Sequence, residues 1–215
     1  MPEIKYLCVI LVMMPNQEEG IFVLHHDGTR FIHTFDMLGN HDTVLADIDS
    51  DNRAEILVLS QDHKAYPFNF QNGTFSVVPG WPQSFEEKTN QFQGLVVGNI
   101  DSDSLPEIIL SSLSFDTTKL FINGWNGDGT LVSGYHHVVL TSLIGYNDLV
   151  EFYPLALGDI EKDGKTDIVV LGQKRTSMFD GEINLYILPT NGFLNTPLEW
   201  PTYRGNKEQT GCYKC

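Results

Sequence analysis

Short aliphatic runs alternate with polar, oxygen-rich segments along this chain. Val44-Leu45-Ala46, Leu95-Val96-Val97-Gly98 and Leu155-Ala156-Leu157-Gly158 each lead into an acidic segment. Ile56-Leu57-Val58-Leu59, Ile108-Ile109-Leu110 and Ile168-Val169-Val170-Leu171 lead out again. Short runs rich in Val, Ile and Leu between polar loops read as strands. Further on, Ala65-Tyr66-Pro67-Phe68 precedes Asn72-Gly73-Thr74, Leu120-Phe121-Ile122 precedes Asp128-Gly129-Thr130, and Leu185-Tyr186-Ile187-Leu188 precedes Asn191-Gly192. Asn-Gly and Asp-Gly predict tight hairpins, because both central residues of a type I′ turn need positive φ. Each unit then ends on Gly80-Trp81-Pro82, Gly134-Tyr135-His136 or Glu199-Trp200-Pro201.

The acidic segments between these strands share one spacing. Asp47, Asp49, Asp51 and Glu55, then Asn99, Asp101, Asp103 and Glu107, then Asp159, Glu161, Asp163 and Asp167 stand at loop positions 1, 3, 5 and 9, with Ile at position 2 every time. Such an array can wrap a hard cation, which takes six to eight oxygens at about 2.3–2.6 Å, and calcium fits better than magnesium, which keeps its waters in a tight octahedron. The position-7 carbonyls of Arg53, Leu105 and Lys165 are expected to complete the shell, giving up to three calcium sites. An EF-hand is excluded, since its loop is longer and lies between helices. Asp and Ser also make simple turns, but three copies with preserved positions favour metal, and gathered carboxylates repel unless a cation or a proton relieves them.

Loop starts at 47, 99 and 159 lie 52 and 60 residues apart, room for four short strands and their turns, the size of one propeller blade. A fourth unit shows at the N-terminus, where Ile21-Phe22-Val23-Leu24 precedes Asp27-Gly28-Thr29. Pro2-Glu3-Ile4 there matches Pro106-Glu107-Ile108, and the interval from Glu3 to Gly28 equals that from Asp167 to Gly192, as if only the end of a first loop were present. These loops resemble the FG-GAP/VCBS repeats of the integrin alpha-subunit β-propeller and its prokaryotic relatives. The resemblance implies an all-β propeller of four-stranded antiparallel blades, with the metal loop joining the innermost strand to the second. Carried over, it places strands near 43–47, 55–60, 64–70 and 74–79, then 92–99, 107–113, 119–125 and 130–138, then 153–159, 167–173, 183–188 and 193–199. The expected organisation is a partial blade over 1–38, complete blades over 39–82, 90–138 and 150–200, and a closing tail over 201–215: an open or incomplete propeller, read as a C-terminal fragment of a larger one. Asn99 and Glu161 depart from the Asp usual at their positions, and the FG-GAP string itself is poorly kept.

With 215 residues and 41% hydrophobic content, the chain can bury a substantial core. Its net charge of −15 argues against nucleic acid, which needs a basic face. The apolar run 6–14 is too short for a transmembrane helix, so no membrane insertion is expected, and a buried strand is favoured over a signal-peptide core. Cys212 and Cys215 suggest a small disulfide or an idle tail, and Cys8 a packed thiol. His25-His26 and His136-His137 are neighbours that point to opposite faces of a strand, so neither pair chelates one metal easily. No nucleophile elbow, Walker loop or dinucleotide fingerprint occurs, and no catalytic residue is assigned. Trp81, Trp125 and Trp200 are expected in packing or turns more than in sugar stacking.

The reading of the sequence is therefore a non-enzymatic, calcium-stabilised propeller module for binding or adhesion, extracellular or at the cell surface. Its ligand is a protein or glycan that the chain does not name, and the missing blades come from an N-terminal half or a second copy. The alternative is the non-catalytic propeller of a larger secreted polysaccharide-active enzyme, and a third is an architectural piece of a surface protein.

Overall fold

The computed structural model describes residues 7–13, 19–25, 28–34, 43–85, 89–114, 119–135, 138–140, 149–152, 155–175, 181–193 and 201. Every regular element among them is a β-strand, and every pairing is antiparallel. Four sheets follow one another along the chain. The first joins β1 (Leu7–Met13), β2 (Glu19–His25) and β3 (Arg30–Thr34) in that order. The apolar run near the N-terminus is thus a strand, paired with β2 from Leu7↔His25 to Met13↔Glu19.

The second sheet is built from β4 (Val44–Ala46), β5 (Glu55–Leu59), β6 (Lys64–Gln71), β7 (Thr74–Val77) and β8 (Gln83–Ser84). Its order is β4-β5-β6-β7, with β8 pairing the start of β6, so β7 and β8 form one interrupted outer edge. The third comprises β9 (Thr89–Gly98), β10 (Glu107–Ser114), β11 (Lys119–Trp125) and β12 (Val138–Leu140), with β9 at the opposite edge from β12. The fourth comprises β13 (Leu149–Phe152), β14 (Ala156–Gly158), β15 (Lys165–Arg175) and β16 (Gly181–Phe193). β13 and β14 share one edge of β15, and β16 takes the other.

The outer strands differ from expectation in an instructive way. An unbroken strand over 74–79 or 130–138 does not form. The Gly80-Trp81-Pro82 and Gly134-Tyr135 turns sit inside the outer strand, and pairing resumes beyond them at β8 and β12. Positive φ at Gly80 (87°) and Gly134 (86°) makes the kink that a continuous ladder cannot hold. Residues 194–199 of the strand expected over 193–199 and 202–215 of the tail expected over 201–215 lie outside the described residues, as do Trp200, His26, the His136-His137 pair, Cys212 and Cys215.

The predicted hairpins separate into three kinds. Asn72 (φ 52°) and Gly73 (φ 81°) make the two-residue turn with both φ positive. At 126–130 the turn is longer: Asn126 N–H donates to Thr130 O at 2.8 Å, Gly129 N–H to Asn126 O at 2.9 Å, and only Gly129 takes positive φ. Asn191-Gly192 makes no such turn: β16 continues through both, with a shift of register against β15 between Pro189 and Phe193. Thr190 accounts for that: its hydroxyl donates to Thr166 O at 2.5 Å and accepts from Gly192 N–H at 3.1 Å, so the backbone is satisfied without reversing.

Packing holds the sheets in a row. One core cluster joins Ile21 and Val23 of the first sheet, Leu45, Ile56, Val58 and Phe68 of the second, and Leu95, Val97, Ile108, Leu110 and Trp125 of the third. A second cluster joins the other face of the third sheet, including Val96, Ile109, Leu120 and Ile122, to Leu155, Leu157, Ile168 and Val170 of the fourth. Alternate residues of β9 and β10 thus enter different cores, the period-two rule of a strand covered on both sides. β4 and β14 both lie against β9, so the leading strands of the last three sheets stand side by side. Trp81 and Trp125 are buried, with ring centroids 6.1 Å apart.

Candidate metal centre

Each acidic loop leaves the leading strand of its sheet and enters the next, so all three are held at the same corner of their sheets. The bond that closes them is common to all. Ile48 N–H donates to Glu55 Oε2 at 2.9 Å, Ile100 N–H to Glu107 Oε2 at 2.7 Å, and Ile160 N–H to Asp167 Oδ2 at 2.8 Å. The ninth-position carboxylate is thereby pinned over the loop with one oxygen used. A second shared bond runs from the seventh amide to the fifth carboxylate: Arg53 to Asp51 at 2.8 Å, Leu105 to Asp103 at 2.7 Å, and Lys165 to Asp163 at 2.9 Å.

The first loop gathers its charges. Asp51 N–H donates to Asp49 Oδ1 at 3.1 Å and Asn52 N–H to Asp47 Oδ2 at 2.9 Å, while Ser50 and Asn52 adopt left-handed φ of 62° and 66°. Carboxylate oxygens of Asp47, Asp49 and Asp51 come within 4.8 Å of one another. Asp47 Oδ1 and Glu55 Oε1 are buried with no hydrogen-bond partner. An exposed pair between Arg53 Nη1 and Asp51 Oδ2, at 3.9 Å, neutralises little of this.

The second loop does the same with a different first residue. Asp103 N–H donates to Asp101 Oδ1 at 2.7 Å, and oxygens of Asp101, Asp103 and Glu107 lie within 4.8 Å of one another. Asn99, standing where the first loop has Asp47, donates from Nδ2 to Asp103 O at 2.5 Å. Its Oδ1 and Glu107 Oε1 are buried without partners.

The third loop departs from this. Asp159 spends both oxygens on backbone, accepting from Asp163 N–H at Oδ1 and Gly164 N–H at Oδ2, each at 3.0 Å. Glu161 is exposed, and Lys162 takes left-handed φ of 60°. Asp159, Glu161, Asp163 and Asp167 form no group of three oxygens as close as those of the first two loops, and none of them carries a buried orphan oxygen. Two of the three expected sites are therefore gathered.

Burial and crowding raise the ninth-position carboxyls of the first two loops. Glu55 is pushed up to about 8 by loss of solvent, opposed by the Ile48 amide and reinforced by Asp49, Asp47 and Asp51. Glu107 is likewise pushed up to about 8 by burial, against the Ile100 amide and with Asp101 and Asp103 adding to the rise. Four buried side chains, Asp47, Glu55, Asn99 and Glu107, none more than 7% exposed, thus hold oxygens that lack a donor. An unmet buried acceptor costs about 1–3 kcal/mol. The donor set is all oxygen, which suits a hard cation and neither zinc nor copper. Arg53, Leu105 and Lys165 contribute their amides to the loop bonds.

The first two loops are also backed by the following sheet, which the spacing of carboxylates did not reveal. A Cβ on Gly127 would stand 2.0 Å from Ile48 O, and one on Gly192 would stand 2.2 Å from Asn99 O. Asn191 N–H donates to Ile100 O at 3.3 Å. An aromatic residue fastens each contact: Trp81 Nε1–H donates to Gly127 O at 2.8 Å, and Tyr135 O–H to Pro189 O at 3.2 Å. The recurring Gly-Trp and Gly-Tyr dipeptides were the visible trace of this arrangement. No family model matches the chain, and no curated protein matches its sequence.

Proposed function

We propose that this chain is a calcium-binding β-propeller module of the FG-GAP/VCBS kind, its four sheets being successive blades, and that it serves binding or adhesion outside the cytoplasm with calcium in a structural role. The observation that carries the reading is the set of buried oxygens without donors in the first two loops, at Asp47, Glu55, Asn99 and Glu107. Calcium in these loops supplies the charge that gathered carboxylates lack and the partner their spare oxygens need. Asp47, Asp49, Asp51 and Glu55 would hold one ion, and Asn99, Asp101, Asp103 and Glu107 a second. The third loop, with Asp159 bonded to its own backbone, is the weakest candidate. Calcium sites of extracellular modules reach dissociation constants of about 10⁻⁴–10⁻³ M, which suits a compartment rich in the ion. Recognition of a protein or glycan falls to the exposed loops of the propeller, and no catalytic step is assigned.

The test is thermal melting of the chain and of Asp49→Ala and Asp51→Ala in calcium and in EGTA. Saturation to tenfold above the dissociation constant stabilises by about 1.4 kcal/mol. The variants are expected to lose that increment in calcium and to match the parent in EGTA. Equal losses in both conditions overturn metal binding at the first loop.

A further inference from the structure

Each internal junction in the row of sheets is built the same way. The glycine of each Asn-Gly or Asp-Gly pair sits against the sheet before it: Gly73 on the ring of Phe31, Gly129 on Gly80 O and Gly192 on Asn99 O. Two halves of that junction remain unused, at opposite ends of the row. Gly28, in the corresponding corner of the first sheet, has nothing within 4 Å of where its Cβ would be. At the other end, Ile160 is 49% exposed, whereas Ile48 and Ile100 at the same loop position are 1% exposed beneath the next sheet.

The sheet faces follow the same pattern. Ile100, Ile109, Leu120 and Ile122 of the third sheet are buried by the fourth. The same face of the fourth sheet carries Ile160, Val169, Leu185 and Ile187, with Leu185 58% exposed and Val169 and Ile187 only partly covered. On the first sheet Ile21 and Val23 face the second, so the alternate residues Phe22 and Leu24, with Ile32 paired across from Phe22, face away. Ile32 is 52% exposed. A row that buries an aliphatic face at every internal junction thus ends on one at both sides, and exposed apolar faces of this kind mark interaction sites.

We propose that the last sheet of one chain takes the first sheet of a second copy of this chain, with the Gly28 corner placed on the 159–167 loop as Gly192 is placed on the 99–107 loop. The second copy is the favoured occupant because the free corner and the free face are the two halves of a junction the chain already makes repeatedly within itself. The contact is heterologous, head to tail. If the sheets are propeller blades, two copies joined at both ends make a ring of eight, within the usual four to eight. That closure rests on the propeller reading; the contact does not.

Native mass spectrometry and light scattering of the purified chain test it, with circular dichroism to verify folding. Assemblies of two or more 24.2 kDa chains are expected. Ile160→Asp alone and Ile32→Asp alone are each expected to be folded and monomeric. An equimolar mixture of the two is expected to recover a heterodimer, since the intact face of the Ile32→Asp chain meets the intact first sheet of the Ile160→Asp chain. A monomeric parent overturns the proposal, and so does a mixture that stays monomeric. Calcium titration reads the metal sites separately, so either inference can fail without the other.

Discussion

Metal uptake by this chain should release protons, in an amount set by two side chains. Glu55 and Glu107 are each raised from 4.5 to about 8 in the metal-free fold. At pH 7 such a carboxyl is about nine-tenths protonated, whereas a metal-bound carboxylate is ionised. Each of the first two loops therefore gives up close to one proton, about two per chain, and affinity per site tightens roughly tenfold per pH unit between about 5 and 8 before levelling off. Calorimetric titration with calcium at pH 7, in two buffers of different ionisation enthalpy, reads the number from the difference in heat. Glu55→Gln should halve it. Heats that do not depend on the buffer refute the reasoning, because both carboxyls would then be ionised before metal arrives. The same shift governs stability without metal. The folded value lies above the unfolded one, so the contribution is whole below about pH 4.5 and is lost as pH rises through about 8. In EGTA the melting temperature should fall from pH 6 to pH 9, and saturating calcium should abolish that fall.

Three further outcomes follow from the geometry. Gly127→Ala places a methyl carbon against Ile48 O and should cost about 1–3 kcal/mol in urea unfolding. Phe68→Ala, emptying a buried site between Tyr66 and His33, should cost about 3–5 kcal/mol in the same assay. Calcium stoichiometry by equilibrium dialysis should come to two sites per chain, and Asp163→Ala should leave both unchanged, since the third loop does not gather its carboxylates.

Much of the β structure was legible because its signals are local. Aliphatic runs on either side of an acidic turn gave β4 with β5, β9 with β10 and β14 with β15, and Asn72-Gly73 gave its hairpin through backbone preference alone. Legibility ended where a distant residue decides the outcome. Asn191-Gly192 carries the same hairpin signal, but Thr190 bonds to Thr166 across the sheet and holds the segment in an irregular stretch of β16 that does not reverse. The third loop has the spacing of the first two, yet Asp159 turns both oxygens to its own amides, a choice that no count of carboxylates reveals. The glycine contacts between sheets depend on residues far apart in the chain, where no periodicity reports them.

Those contacts bear on how the polypeptide matures during synthesis. Trp81 finds its acceptor 46 residues downstream at Gly127, and Tyr135 finds its own 54 residues downstream at Pro189. A repeat emerging from the ribosome can pair its own strands at once, but its acidic turn stays without backing until the following repeat has been translated. Maturation then advances with a lag of one repeat, and aliphatic surface stays open to chaperones throughout that interval.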